Sequence, residues 1–148
     1  MSPLEIATLR RKLSRMVEDL SRLKPLAGLS VDDWRTDIMQ RDAGERRLQT
    51  CIEAALGVNA HLLVSLGHPA PADGYQSFLD LAERTRIIPR ELATRLAPSA
   101  GLRNRLVHQY DKLDDDLLLQ GLRDAVARYP EYVEKISAYV DQVDAGST

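Results

Sequence analysis

Between Ile6 and Leu23 the apolar residues Ile6, Leu9, Leu13, Met16, Val17, Leu20 and Leu23 recur mostly at steps of three and four. A helix turns that rhythm into one apolar stripe, with Arg and Lys opposite, whereas a strand needs steps of two. No strand-like alternation of any length follows, and only 8 Gly and 7 Pro punctuate the 148 residues. The expected fold is therefore all-α. "SPLE" opens the first helix, with Ser2 as N-cap, Pro3 at the first helical position and Glu5 closing a capping box. Each of these satisfies or avoids an orphan backbone N–H. That helix should run to about Lys24 and end in "KPLAGLS".

Ser30 with Asp33 opens a second helix, whose periodicity continues through Trp34, Ile38 and Met39 to a bend expected at Asp42 to Gly44. From Glu45, Leu48, Cys51, Ile52, Ala55, Leu56, Val58, Leu62 and Leu63 mark the central core helix. "GHPAPADG" should be a surface loop, "YQSFLDLAERT" a short helix, and "IIPRELATRLAP" another starting near Pro89. Pro98 restarts the chain into a further helix, and Asp114 to Asp116 cap a long final one, since carboxylates favour a positive helix N-terminus. Pro130 should bend or interrupt it. Four to five long helices on short loops make an antiparallel bundle, in one domain spanning residues 1–148.

Twenty basic residues stand against 22 acidic ones, so no bulk field advertises nucleic acid or membrane, and any anion site must be local. Cys51 is the sole cysteine, which rules out an intramolecular disulfide and a cysteine-based zinc site. The basic N-terminus is unlike a signal peptide, and no apolar run approaches ~18 residues. A cytoplasmic protein without cofactor or membrane segment is expected.

Against this background "GLRNRLVHQYDKLDDD", residues 101–116, stands out. On a continuous helix Arg103 and Tyr110 share a face, and Asn104 and His108 are neighbours. Arg103 and His108, five apart, diverge by about 140°. They converge only if the helix ends near His108 or a second chain contributes. Histidine titrates nearest neutrality, and arginine is a permanent planar cation suited to phosphate oxygens. The pair suits metal-independent phosphodiester cleavage, His108 moving a proton at a ribose 2′-oxygen while Arg103 stabilises charge on phosphorus and Asn104 orients the imidazole.

By spacing alone, such residues near a helix end are more often surface and capping groups. His61 and His68 read as structural or solvated. Arg41, Arg46 and Arg47 could add positive potential near a cleft, although such a cluster is usually a solvated face. Glu53 could be a core-edge carboxylate that pairs with one of those arginines, and the sequence leaves its role open.

"RNRLVHQY" followed by "DKLDDD", with "ERRLQTCIEAALGVNAHLL" about fifty residues upstream, resembles the HepT family of small HEPN-domain proteins over nearly the whole chain. Arg103, Asn104, His108 and Tyr110 fill the family's pattern without a gap. Leu102 departs from it, since many relatives carry an aromatic there. The resemblance implies an all-α homodimer with two Arg-x4-His segments facing one another across a cleft. It implies a toxin ribonuclease cutting RNA without metal through Arg103 and His108. It also implies a cognate MntA-like minimal nucleotidyltransferase antitoxin that transfers AMP to Tyr110. Some HEPN proteins instead serve as non-catalytic, nucleotide- or partner-binding subunits of nucleotidyltransferase complexes, and that is the competing reading.

Overall fold

The computed structural model describes residues 1–108 and 114–146. The capping box forms as the sequence suggests: Ser2 Oγ accepts from the Glu5 N–H while Glu5 accepts from the Ser2 N–H at 2.7 Å, and α1 spans Pro3–Leu23. A 3-10 turn over Lys24–Gly28 leads to α2, Val31–Thr36, capped by Ser30. The helices α3 (Ile38–Ser65), α4 (Gly74–Asp80), α5 (Arg90–Leu96), α6 (Ser99–Val107) and α7 (Asp115–Gly146) follow, with a π turn at Leu81–Thr85 after α4. The all-α expectation holds. The long elements are α1, α3 and α7, and the others are short.

Polar contacts between helices give their directions. Glu5 meets Ser65 and Asp19 meets Arg47, so α1 runs antiparallel to α3. Arg10 bonds Asp141 and Asp144, while Arg123 donates to the Ala27 and Leu29 carbonyls just beyond α1, so α1 is also antiparallel to α7. The α1 stripe is buried between them, apart from Val17, which is 53% exposed. Val17 falls outside the arc already filled by Met16 and Leu20, so the apolar stripe is narrower than its sequence.

The break after α2 lies at Asp37, and α3 continues straight through Asp42 to Gly44. Asp37 accepts from the Gln40 N–H and so starts a new helix, which resets the register and leaves Ile38 and Met39 exposed. Gly44 serves close packing instead of bending: a Cβ there would lie 2.9 Å from both Leu26 Cδ1 and Trp34 Cη2. Pro130 does not interrupt α7 either. A mid-helix proline costs about 3 kcal/mol, but Leu122, Ala125, Tyr129, Tyr132 and Ile136 on both sides of it are fully or almost fully buried on one face. Their burial, about 1.5–3 kcal/mol for each large side chain, outweighs that cost.

Around Tyr129 and Tyr132 the core becomes polar in a controlled way. Both rings pack edge-on against Phe78 and each other. The Tyr132 hydroxyl donates to Asn59, whose amide donates to Ser77 at 3.0 Å. Ser99 Oγ donates to the Leu96 carbonyl and lies 2.6 Å from the Tyr129 hydroxyl, which is left to donate to Ser99. Burial pushes both phenols above their ordinary titration range, so they stay neutral donors.

Asp19 is the one fully buried acidic side chain among the described residues. Thr50 donates to it at 2.6 Å, Arg47 at 3.1 Å, and Arg15 stands 3.6 Å away. Removing one partner of a buried ion pair strands the other charge. Arg47→Ala should therefore destabilise the fold by about 3 kcal/mol, the low end of that effect because Thr50 and Arg15 remain. A fall in the urea midpoint at unchanged slope checks this.

Candidate functional site

Helix α6 carries the polar motif and is held by α7 and by α3. Its first turn is tied to α7 through Ser99 and Tyr129. Leu102 lies over Gly121 of α7, where an added Cβ would come within 2.3 Å of Leu102 Cδ2. The departure at Leu102 therefore sits where α7 has no side chain. On the other side, Arg103 reaches α3, its Nε 3.4 Å from Glu53 Oε1. Ala100 and Leu56 both close on Gly74, so α6 runs antiparallel to α3.

The helix ends at Val107, and His108 is its C-cap, with φ −104° and ψ 42°. Relative to a helical residue, that φ swings the side chain by about 40° about N–Cα. One of the two conditions for bringing Arg103 and His108 together, an end to the helix at this point, is thus present. Within one chain no hydrogen bond or ion pair joins the two side chains among the described residues. His108 is exposed, and Arg103 keeps 30% of its side chain open. Asn104 Oδ1 accepts from Arg103 at 3.3 Å, and the Asn104 carbonyl accepts from the His108 N–H at 3.0 Å. Asn104 thus touches both motif residues, one through its side chain and one through its main chain. Tyr110 lies outside the described residues.

Glu53 pairs with Arg103 across the α3–α6 contact, not with the arginines of its own helix. Those go elsewhere: Arg47 to Asp19 and Glu18, Arg41 to Asp115 and Glu45. Arg46 is exposed, and its spacing places it on the Gln49–Glu53 face of α3. Gln49 was not singled out in the sequence, yet its amide donates to Glu53 Oε1 at 2.8 Å. The signal available was the four-residue spacing of Gln49 and Glu53, which makes them neighbours on any helix. Arg41 and Arg35 hold Asp115 at the start of α7, with Arg35 Nε 2.9 Å away. Burial pushes the Glu45 carboxyl beside them up, against the opposing effect of Arg41.

His61 pairs with Glu5 at 3.5 Å at the far end of α1, away from α6. Among the described residues no three His, Cys, Asp or Glu side chains gather as a metal site, and no helix is long and apolar enough to cross a membrane. A groove of about 320 Å³ opens between α6 and α7, lined by Leu102, Arg105, Leu117, Gln120 and Asp124 and floored by Tyr129.

Comparison with known proteins gives one answer. The family model described as ribonuclease HepT-like matches residues 16–136. The chain is 34% identical to the tRNA nuclease HepT of Aphanizomenon flos-aquae, over 95% of each chain. It is 30% identical to a putative RNase of Archaeoglobus fulgidus, over 66% of this chain and 72% of the relative, and 24% identical to the mRNA nuclease HepT of Shewanella oneidensis, over 86% and 94%. Among solved structures, the tri-AMPylated HEPN toxin of Shewanella oneidensis in complex with MNT antitoxin superposes with a TM-score of 0.77 at 22% identity, covering 93% of this chain and 99% of that one. A toxin–antitoxin structure with AMP-PNP gives 0.78 at 22% identity, over 89% and 98%. At such identities the likeness is one of fold, and it agrees with the all-helical bundle. Family model and relatives together place the chain: it belongs to the ribonuclease HepT-like family.

Proposed function

We propose that the protein is the toxin of a toxin–antitoxin pair, an endoribonuclease that cleaves RNA without a metal ion at a cleft formed by two copies of α6. The observation that carries this reading is the end of α6 at Val107, which places exposed His108 beyond the helix with Arg103 one and a half turns earlier. His108 accepts the proton of a ribose 2′-hydroxyl as that oxygen attacks the adjacent phosphorus. The bond from phosphorus to the 5′-oxygen breaks, and that oxygen leaves with a proton given by an imidazolium, which the second copy's His108 can supply. Arg103 holds the phosphate oxygens as charge builds on them. Since the two side chains do not touch within one chain, the second copy completes the site.

Tyr110, two residues beyond His108, is the proposed AMP acceptor. Its hydroxyl oxygen attacks the α-phosphorus of ATP in the active site of a cognate minimal nucleotidyltransferase, and pyrophosphate leaves. The adduct adds bulk and negative charge beside groups meant for RNA phosphate, and cleavage stops.

Light scattering is expected to give twice the 16.6 kDa chain mass at micromolar concentration. A monomer under those conditions would sink the two-chain site. His108→Ala and Arg103→Ala should each lower RNA cleavage in chelator-treated buffer by about 100-fold or more while circular dichroism stays unchanged. Wild type inactive in that buffer, or mutants as active as wild type, would favour a non-catalytic binding subunit. With partner, ATP and Mg²⁺, mass should rise in AMP units at Tyr110, and Tyr110→Phe should resist silencing. Tyr129 and Tyr132 are fully buried, so exposed Tyr75 and partly buried Tyr139 are the alternative acceptors to inspect. An adduct at either, with none at Tyr110, overturns the assignment.

A further inference from the structure

We propose that Glu53, itself held by Gln49, is a positioning residue that fixes which edge of the Arg103 guanidinium meets RNA; the proposal rests on the ribonuclease reading above. Arginine carries five N–H donors in a planar fork. In this structure the Nε position is buried, makes no hydrogen bond of ordinary geometry, and lies 3.4 Å from Glu53 Oε1. Glu53 is the one carboxylate recorded within ion-pair distance of this donor, which is closed to water. Separations of this kind in a ligand-free site commonly shorten when substrate binds.

With Nε beside Glu53, the terminal nitrogens are left for phosphate, and one of them already touches Asn104 Oδ1. Glu53 has little freedom to follow Arg103 outward. It projects from the middle of α3, between fully buried Ile52 and largely buried Ala54, and Gln49 grips the same oxygen from one turn earlier. The chain of contacts Gln49–Glu53–Arg103–Asn104 therefore runs from the core helix to the motif. Its direction is specific to arginine, because a lysine ammonium has no second donor edge to spare.

The carboxylate also has an electrostatic cost. It places a negative charge beside a site for a polyanion, so removing that charge should not weaken RNA binding. A positioning role and a merely structural one then differ in sign. Glu53→Gln is expected to lower kcat about 10- to 100-fold, while KM stays level or falls and the melting temperature is unchanged. Gln49→Ala should give a smaller loss of the same kind. In an Arg103→Lys background, Glu53→Gln should change nothing further, since the donor it positions is gone.

A second readout does not depend on cleavage. The Arg103 Nε–H resonance should be visible and exchange-protected in wild type, and shifted or lost in Glu53→Gln. An unchanged resonance, wild-type kinetics in Glu53→Gln, or an equal proportional loss in the Arg103→Lys background overturns the proposal. A wild type that shows the protected Nε–H yet cuts no RNA removes the ribonuclease reading, and with it the catalytic purpose of the pair.

Discussion

A carboxylate without access to water sets the register of this bundle. Asp19 is buried where Thr50 and Arg47 of α3 meet it beside Arg15 of its own helix, and sliding α1 along α3 would part it from Thr50 and Arg47. A slip by one turn would leave the carboxylate with Arg15 alone, at a cost of roughly 3 kcal/mol or more. The surrounding stripe of Leu13, Met16 and Leu20 is tolerant of small displacements; the ion pair is not. Specificity of register thus comes from a polar group, and affinity between the helices from apolar ones.

That register has consequences well away from Asp19. Helix α3 presents Arg47 and Thr50 to α1 and, within a turn, Gln49 and Glu53 to α6. Fixing one face of a helix in rotation fixes the others, so the placement of Arg103 follows from the packing of α1. The α7 helix takes the opposite side of α6 through Tyr129 and Gly121. The motif is thereby carried on a short element whose geometry is dictated by two long ones, the arrangement expected when a site must be rigid although its residues lie near a helix end.

Much of this was legible in the chain. The capping box, the stripe of α1 apart from Val17, the cap at Ser30, the helix start at Pro98 and the core of α3 follow from local rules that tertiary structure did not override. Failures came where a residue has two uses. Gly44 reads as a break but is a close-packing contact, and Pro130 reads as an interruption but is outweighed by buried neighbours. The motif residues were visible because their chemistry is unusual in a leucine-rich helix. Glu53 was visible too, yet its partner was misassigned to the nearest arginines along α3. Sequence proximity favours Arg46 and Arg47, whereas the antiparallel docking of α6 delivers an arginine fifty residues away, and nothing local encodes that docking.

The hydrogen bond between Ser99 and Tyr129 fastens α6 to the core at one end, while His108 stands at the other. Nine residues of helix make a lever about 14 Å long. A tilt of about 4° at the fulcrum moves the tip by about 1 Å, a misplacement large enough to change a proton-transfer rate by about 100-fold. If His108 moves the proton as proposed, a phenol hydroxyl deep in the core, with no part in the chemistry, helps to set its aim, and rate becomes a property of how firmly the bundle grips the butt of one short helix.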